Sequence, residues 1–247
     1  MLLSVQLWGC AAWRADEQAS VAPDPIARAA WGKASLVQFD DRPWHHLPLP
    51  GKRATQFDAA HLDGRAAVAV TADASASMVR KTVRVAPTDL GRLQFSWKVP
   101  ALIPQADMGA RDADDAPVRL VLAFDGDRSR FSPKNAMLSE LARALTGEEM
   151  PYATLMYVWC NARAPGSVIH NPRTDRIRKI VVQSGAAGLG RWQDYERDVR
   201  ADFVQAFGEE PGALVAVGIM TDSDNTGTRV QAWYGPLQLH SRTAATP

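Results

Sequence analysis

The chain has 247 residues, 46% of them hydrophobic, with 28 Lys and Arg against 27 Asp and Glu. That length and apolar share fit one large all-β domain or two ordinary ones with a sizeable core. The near-zero net charge supplies no basic field and sets aside a dedicated nucleic-acid binder. No stretch beyond the N-terminus approaches the roughly twenty apolar residues of a membrane span. The two cysteines, Cys10 and Cys160, make neither a disulfide framework nor a cysteine-based metal site.

Residues 1–8 are mostly apolar, and Leu7-Trp8-Gly9-Cys10 resembles a bacterial lipoprotein box with Cys10 as the lipidated residue. Trp8 is bulkier than the small residue such a box wants, and no basic n-region precedes the run. The expectation is the tail end of an export signal, a periplasmic or envelope-associated protein and a lipid anchor at Cys10. The alternative is the apolar N-terminus of a cytosolic protein. Residues 11–34, Ala-rich with Pro23 and Pro25, read as linker. The expected organisation is therefore signal remnant and linker over 1–34, one domain over 35–240 and a disordered tail over 241–247.

The spacing predicts short strands over residues 35–39, 55–58, 65–72 and 77–85, separated by a Pro-dense loop and small polar turns. His45 and His46 lie in that loop. Being adjacent, they point opposite ways in an extended chain and suit structural roles better than one metal site. Residues 92–99 carry the clearest period of two: Leu93, Phe95, Trp97 and Val99 on one face, Arg92, Gln94, Ser96 and Lys98 on the other. This is the pattern of a half-buried antiparallel strand. An acidic loop with Asp107, Asp112, Asp114 and Asp115 follows. The strand at 118–124 then ends in Asp125-Gly126-Asp127.

Two helices interrupt the strands. Ser132 is placed as an N-cap before Pro133, with Gly147 just past the end and an apolar stripe of Leu138, Leu141, Ala142 and Leu145 between them. Val199, Phe203, Ala206 and Phe207 share a face of the second helix, which Gly208 stops. Strands are expected at 152–159 and 177–184, and alternating charges on a strand face account for Arg173, Arg176, Arg178 and Lys179. The apolar run 214–220 then leads into Thr221, Asp222, Ser223, Asp224 and Asn225, a turn at 226–228, and a last strand at 230–234. Ten or eleven strands without regular βα alternation predict a mainly β protein, an antiparallel β-sandwich or jelly roll with two short helices.

No nucleophile elbow, zinc helix or phosphate loop is present. Asp222 to Gly227 begins like an EF-hand loop, but Trp233 stands where the bidentate Glu belongs. What remains is a constellation: Asp125 and Asp127 after one apolar strand, Asp222, Asp224 and Asn225 after another, with Tyr157, Trp159 and Arg176 between. Carboxylates and amides for hydroxyls, and aromatic faces for pyranose rings, are the mixture a sugar site needs. The readings are a module binding a saccharide or other cell-envelope ligand at this rim, a glycan-active enzyme with paired Asp as general acid and base, or a structural module stabilised by a calcium ion. Against all three stand an Asx-rich turn and aromatics that belong to the core.

The stretches DDAPVRLVLAFDGD, ELARALTGEEMPYATLMYVW, RDVRADFVQAFGEEPG and VGIMTDSDNTG resemble the bacterial domain-of-unknown-function family 3047, over about residues 36–240. The resemblance implies an exported, mostly β protein and carries over no catalytic residues. The C-terminal strand, acidic loop and Tyr-Gly-x-Leu-x-Leu pattern is also similar to galactose-binding-like carbohydrate modules.

Overall fold

The protein is described by a computed structural model, covering residues 24–36 and 42–242. Its first elements are the short helices α1 (Pro25–Arg28) and α2 (Ala30–Ala34), then β1 (His45–Pro48), β2 (Gln56–Leu62), β3 (Arg65–Asp73), β4 (Ala76–Val85) and β5 (Leu90–Lys98). There follow β6 (Ala116–Phe124), α3 (Pro133–Thr146), β7 (Ala153–Cys160), β8 (Val168–His170), β9 (Ile177–Ser184) and β10 (Trp192–Asp198). The chain closes with α4 (Val199–Phe207), β11 (Leu214–Asp222), β12 (Arg229–Tyr234) and β13 (Gln238–Ser241).

The strands form two sheets. One runs β1-β4-β11-β6-β7-β9-β8, antiparallel except for the parallel pair β7 and β9. The other runs β10-β5-β12-β3-β2, with β13 also paired to β5. Their inner faces supply one core: Val79, Leu120, Leu122, Leu155, Tyr157 and Ile219 from the first, Val68, Val70, Leu93, Phe95, Trp97 and Tyr234 from the second. The sandwich expected from the period-two segments is the observed architecture.

Local chemistry places the longer helices. The Ser132 hydroxyl accepts from the Asn135 N–H at 3.3 Å, and Gly147 closes α3 in the left-handed conformation at φ 75°. Asp198 caps α4 through the Ala201 N–H at 3.0 Å, and Gly208 ends it at φ 69°. Phe203 of α4 is fully buried, edge-on to Phe124 at 4.7 Å. The stripe of α3 behaves differently: Leu141 and Leu145 are 52% and 63% exposed, because the helix turns the polar Asn135 and Ser139 inward, to Thr174 and Arg128.

Several elements depart from the sequence expectation. Residues 25–34 are two helical turns rather than linker, with Trp31 buried against Trp44 at 4.9 Å and donating to the Gly235 carbonyl at 2.8 Å. His45 and His46 open a strand, β2 continues through Leu62, and β8 and β10 were not expected. Of the strand expected at 35–39, residues 37–39 lie outside the described residues, and Ser35 and Leu36 are not in a strand. The leader, Cys10 and the end of the tail also lie outside them.

Trp97 is completely buried, whereas Lys98 on the opposite face pairs with Asp63 at the surface. Trp97→Ala is expected to cost about 3–5 kcal/mol in denaturant unfolding, and Lys98→Ala less than about 1 kcal/mol. Equal losses would contradict the facing of β5.

Candidate functional site

The two acidic strand ends do not meet. β6 and β11 are antiparallel, with Leu214 opposite Phe124 and Asp222 opposite Ala116. Asp125 therefore continues the Leu214 end of the ladder, and the pairs are separated by roughly 25 Å at about 3.3 Å per residue. The convergence of Asp125 and Asp127 with Asp222 and Asp224 is thus corrected by strand direction alone. Asp125 bonds the Gly126 N–H, and Asp127 caps a short 3-10 turn through the Ser129 N–H and hydroxyl. Nor do Tyr157 and Trp159 offer the expected aromatic faces to a ligand: both are fully buried core residues. Tyr157 donates to Asp202 at 2.7 Å, and Trp159 to the Gly185 carbonyl at 2.9 Å. Arg176 pairs with Glu209 at 3.0 Å and lies 5.0 Å over the Tyr152 ring.

Asp222, Asp224 and Asn225 do belong together, in a network of residues that had not been grouped with them. Arg119, on the outward face of the otherwise apolar β6, is 3% exposed. It donates through Nε to Asp222 at 2.8 Å, and through a terminal nitrogen to the Asp114 carboxylate and carbonyl at 3.0 and 2.7 Å. The fully buried Lys179 donates to Asp114 at 2.6 Å and to the Met108 carbonyl at 2.8 Å. Asp115 accepts four bonds, from the N–H and side chains of Asn225 and Thr226. Lys52 pairs with Asp224.

Burial sets the electrostatics. It pushes the Asp222 carboxyl up to about 6 against the attraction of Arg119. Burial and the neighbouring Arg119 bring the Lys179 ammonium down to about 8. Burial opposes ionisation of Asp114 too, but Arg119 and Lys179 together hold it below the usual carboxylate range. Oxygens of Asp115, Asp222 and Asp224 lie within 4.8 Å of one another, near enough to share a cation. Arg119 and Lys52 already bring positive charge to two of those three acids. The network's evident work is mechanical: it ties loops 105–115 and 222–228 to the sheet.

A groove crosses the outer face of the six-stranded sheet. Its floor is β5, where Gln94 and Ser96 face outward. Register places Glu196 of β10 opposite Gln94 and Asp194 opposite Ser96, so these acids stand on the same face. On the other side, β12 pairs with β5 through Trp233 and Tyr234, and β13 takes over at Gln238. The resulting trough holds two adjoining cavities of about 470 and 500 Å³ that share Gln94 and Glu196. Gly91 permits the tight approach of β13, since a Cβ there would lie 2.3 Å from the His240 carbonyl oxygen.

Hydrogen-bonding groups line this groove. Gln94 donates to Glu196 at 2.7 Å and meets His240 at 3.3 Å; Arg92 also pairs with Glu196. Arg65 reaches over to Asp194 with both terminal nitrogens, and its guanidinium covers the Trp192 ring at 5.2 Å. The Gln94 bond, then Arg92, hold the Glu196 carboxyl below the ordinary range. Among the described residues, Asp222 is the one carboxyl raised well above it, and it lies outside the groove. The outward positions of β5 were legible in the sequence, but β10 was not, so its acids were missed. The alternation Trp192, Asp194, Glu196 was the signal available.

Fold and groove together define a two-sheet β-sandwich with a polar cleft on one outer face. The chain belongs to the family described as Protein of unknown function (DUF3047), which matches residues 42–238. Among solved structures it is similar to the xyloglucanase domain of NopAA, a type three effector from Sinorhizobium fredii, in complex with cellobiose. Identity there is 10%, over 82% of this chain and 95% of that one, with a TM-score of 0.42. It is also similar to the endo-1,4-beta-glucanase CelB2, a cellulase in its native structure, at 11% identity over 83% and 90% of the chains and a TM-score of 0.36. No curated protein matches the chain.

The network makes a prediction with a sign. A carboxyl raised in the folded state binds its proton more tightly there than in the unfolded chain. Asp222 therefore lowers stability as pH rises from about 4 to about 6. Asp222→Asn should remove that slope and cost less than about 1 kcal/mol at pH 7. Arg119→Met, which leaves two buried carboxylates facing each other, should cost about 3–5 kcal/mol at pH 7, and less on acidification. Urea melts between pH 4 and 7 check both, and an unchanged slope in Asp222→Asn would contradict the assignment.

Proposed function

We propose that the protein is a binding module for a saccharide or other polyol, taken up along the groove between β10 and β13. The observation that carries this reading is the row of side chains from three strands, Asp194 and Glu196, Gln94, Gln238 and His240, lining one continuous polar trough. Hydroxyl-rich ligands are held by such convergent donors and acceptors. Binding is favoured over hydrolysis because Asp194 and Glu196 are ion-paired with arginines, Glu196 is held ionised and Asp198 caps α4. A glycosidase needs one carboxyl protonated near neutral pH. We further propose that the protein works in the cell envelope, a reading that rests on residues 1–10 and is tested by cell fractionation.

Isothermal titration against a panel of oligosaccharides tests the groove. Gln94→Ala and Glu196→Gln should each weaken the best ligand by about tenfold, a change of roughly 1.4 kcal/mol. Both positions are exposed, so the unliganded protein should melt within about 0.5 kcal/mol of wild type. Release of reducing sugar from the same panel would reverse the preference for binding over hydrolysis, and affinity indifferent to both substitutions would move the site elsewhere.

A further inference from the structure

The outer face of the seven-stranded sheet, away from the groove, carries a further cavity of about 220 Å³. Pairing register gives it its shape. One row across the sheet reads Arg80, Gly218, Val121, Met156, and the next reads Ala216, Ala123, Thr154, Ile177. The middle strands β11 and β6 thus contribute a glycine, two alanines and a valine. Larger side chains rise on either side, Leu47 and Met78 from β1 and β4, Met156 and Ile177 from β7 and β9. The outward face of an antiparallel sheet is commonly polar and solvated. Here small apolar side chains floor a trough between larger ones.

Among the described residues, Arg80 is the one charged side chain lining this cavity. Glu148 takes both of its terminal nitrogens, at 2.7 and 2.8 Å, so the charge of the guanidinium is matched. Its Nε–H is buried and has no hydrogen-bond partner among the described residues. A buried donor left unmet is costly. An uncharged oxygen would answer that N–H without displacing Glu148, whereas a carboxylate would meet the Glu148 charge. A cavity of about 150 Å³ holds a benzene ring, roughly 25 Å³ per carbon, so this one holds a body of about eight or nine carbons.

We propose that this cavity binds a medium-length aliphatic chain of about eight carbons that ends in an uncharged oxygen, with that oxygen at Arg80. Straight-chain alcohols from butanol to nonanol are the probes, and the methyl signals of ¹³C-labelled Met78 and Met156 report binding. Affinity should rise about fourfold per methylene, and level off at about eight carbons. Met137, exposed on α3, should not shift. Octanoate should bind about tenfold more weakly than octanol, since Glu148 opposes its charge. Arg80→Lys keeps a cation for Glu148 but removes the Nε–H, and should weaken octanol about fivefold. Ala123→Leu fills about three carbons' worth of the space and should move the levelling-off to about five carbons. Gln94→Ala in the groove should change none of this, so the cavity is tested apart from the saccharide function.

Titration of the wild type alone can overturn the proposal. No shift at Met78 and Met156 up to the solubility of each alcohol, or an equal shift at Met137, would remove the site. Affinity indifferent to chain length would remove the aliphatic ligand. Octanoate binding as tightly as octanol would remove the uncharged end.

Discussion

A buried arginine on an apolar strand is the constraint around which one end of this sandwich is arranged. Arg119 sits on β6, where all nine positions are buried, and its charge cannot be left unanswered there. Asp222 at the end of β11 and Asp114 in the loop before β6 answer it, and Lys179 of β9 extends the network to a third segment. Tyr234 crosses from the other sheet to the Met220 carbonyl at 2.5 Å, and its oxygen accepts from the Arg119 N–H at 3.1 Å. Both sheets and loops 105–115 and 222–228 thus share one set of polar contacts, in a setting where each unmet group would be costly. Asp222 and Asp224, which look like part of a ligand site in sequence, are held in place by the protein's own cations.

The groove arises from a different necessity. β5 has a full-length neighbour in β10, but its other edge is divided between β12 and β13, joined through Gly235, Pro236 and Leu237. Proline cannot donate to a ladder, so pairing lapses there and the sheet surface opens. The floor is polar because the outward positions of β5 alternate with a core-facing row of Leu93, Phe95 and Trp97. Binding chemistry is therefore carried by the same strand that anchors the core, which gives the polar side chains a rigid base.

Much of the fold was legible because burial writes a period into sequence. β5 shows alternation clearly, and β11 and, apart from Arg119, β6 read as apolar runs because both of their faces are buried. Three of the helix ends were legible through Ser132 and the glycines 147 and 208, whose roles are local. β10 was hidden because its inward positions, Gln193, Tyr195 and Arg197, are mostly polar. Arg197 is tolerated there because Asp202 of α4 accepts from it at 2.8 Å. α1 and α2 were hidden because Ile26 and Trp31 are their only buried residues, too few to make a pattern.

The sequence by itself determined the class of the protein, the facing of its strongest strands, the capped helices and the family. These follow from interactions between residues a few positions apart, or from a whole-chain pattern. Only the tertiary structure decided which acids meet. Strand direction separated Asp125 from Asp222, pairing register set Asp194 and Glu196 beside Gln94, and packing drew Arg119, Asp114 and Asp222 together across about a hundred residues of chain. Proximity of this kind depends on how sheets pair and stack, and no local spacing encodes it.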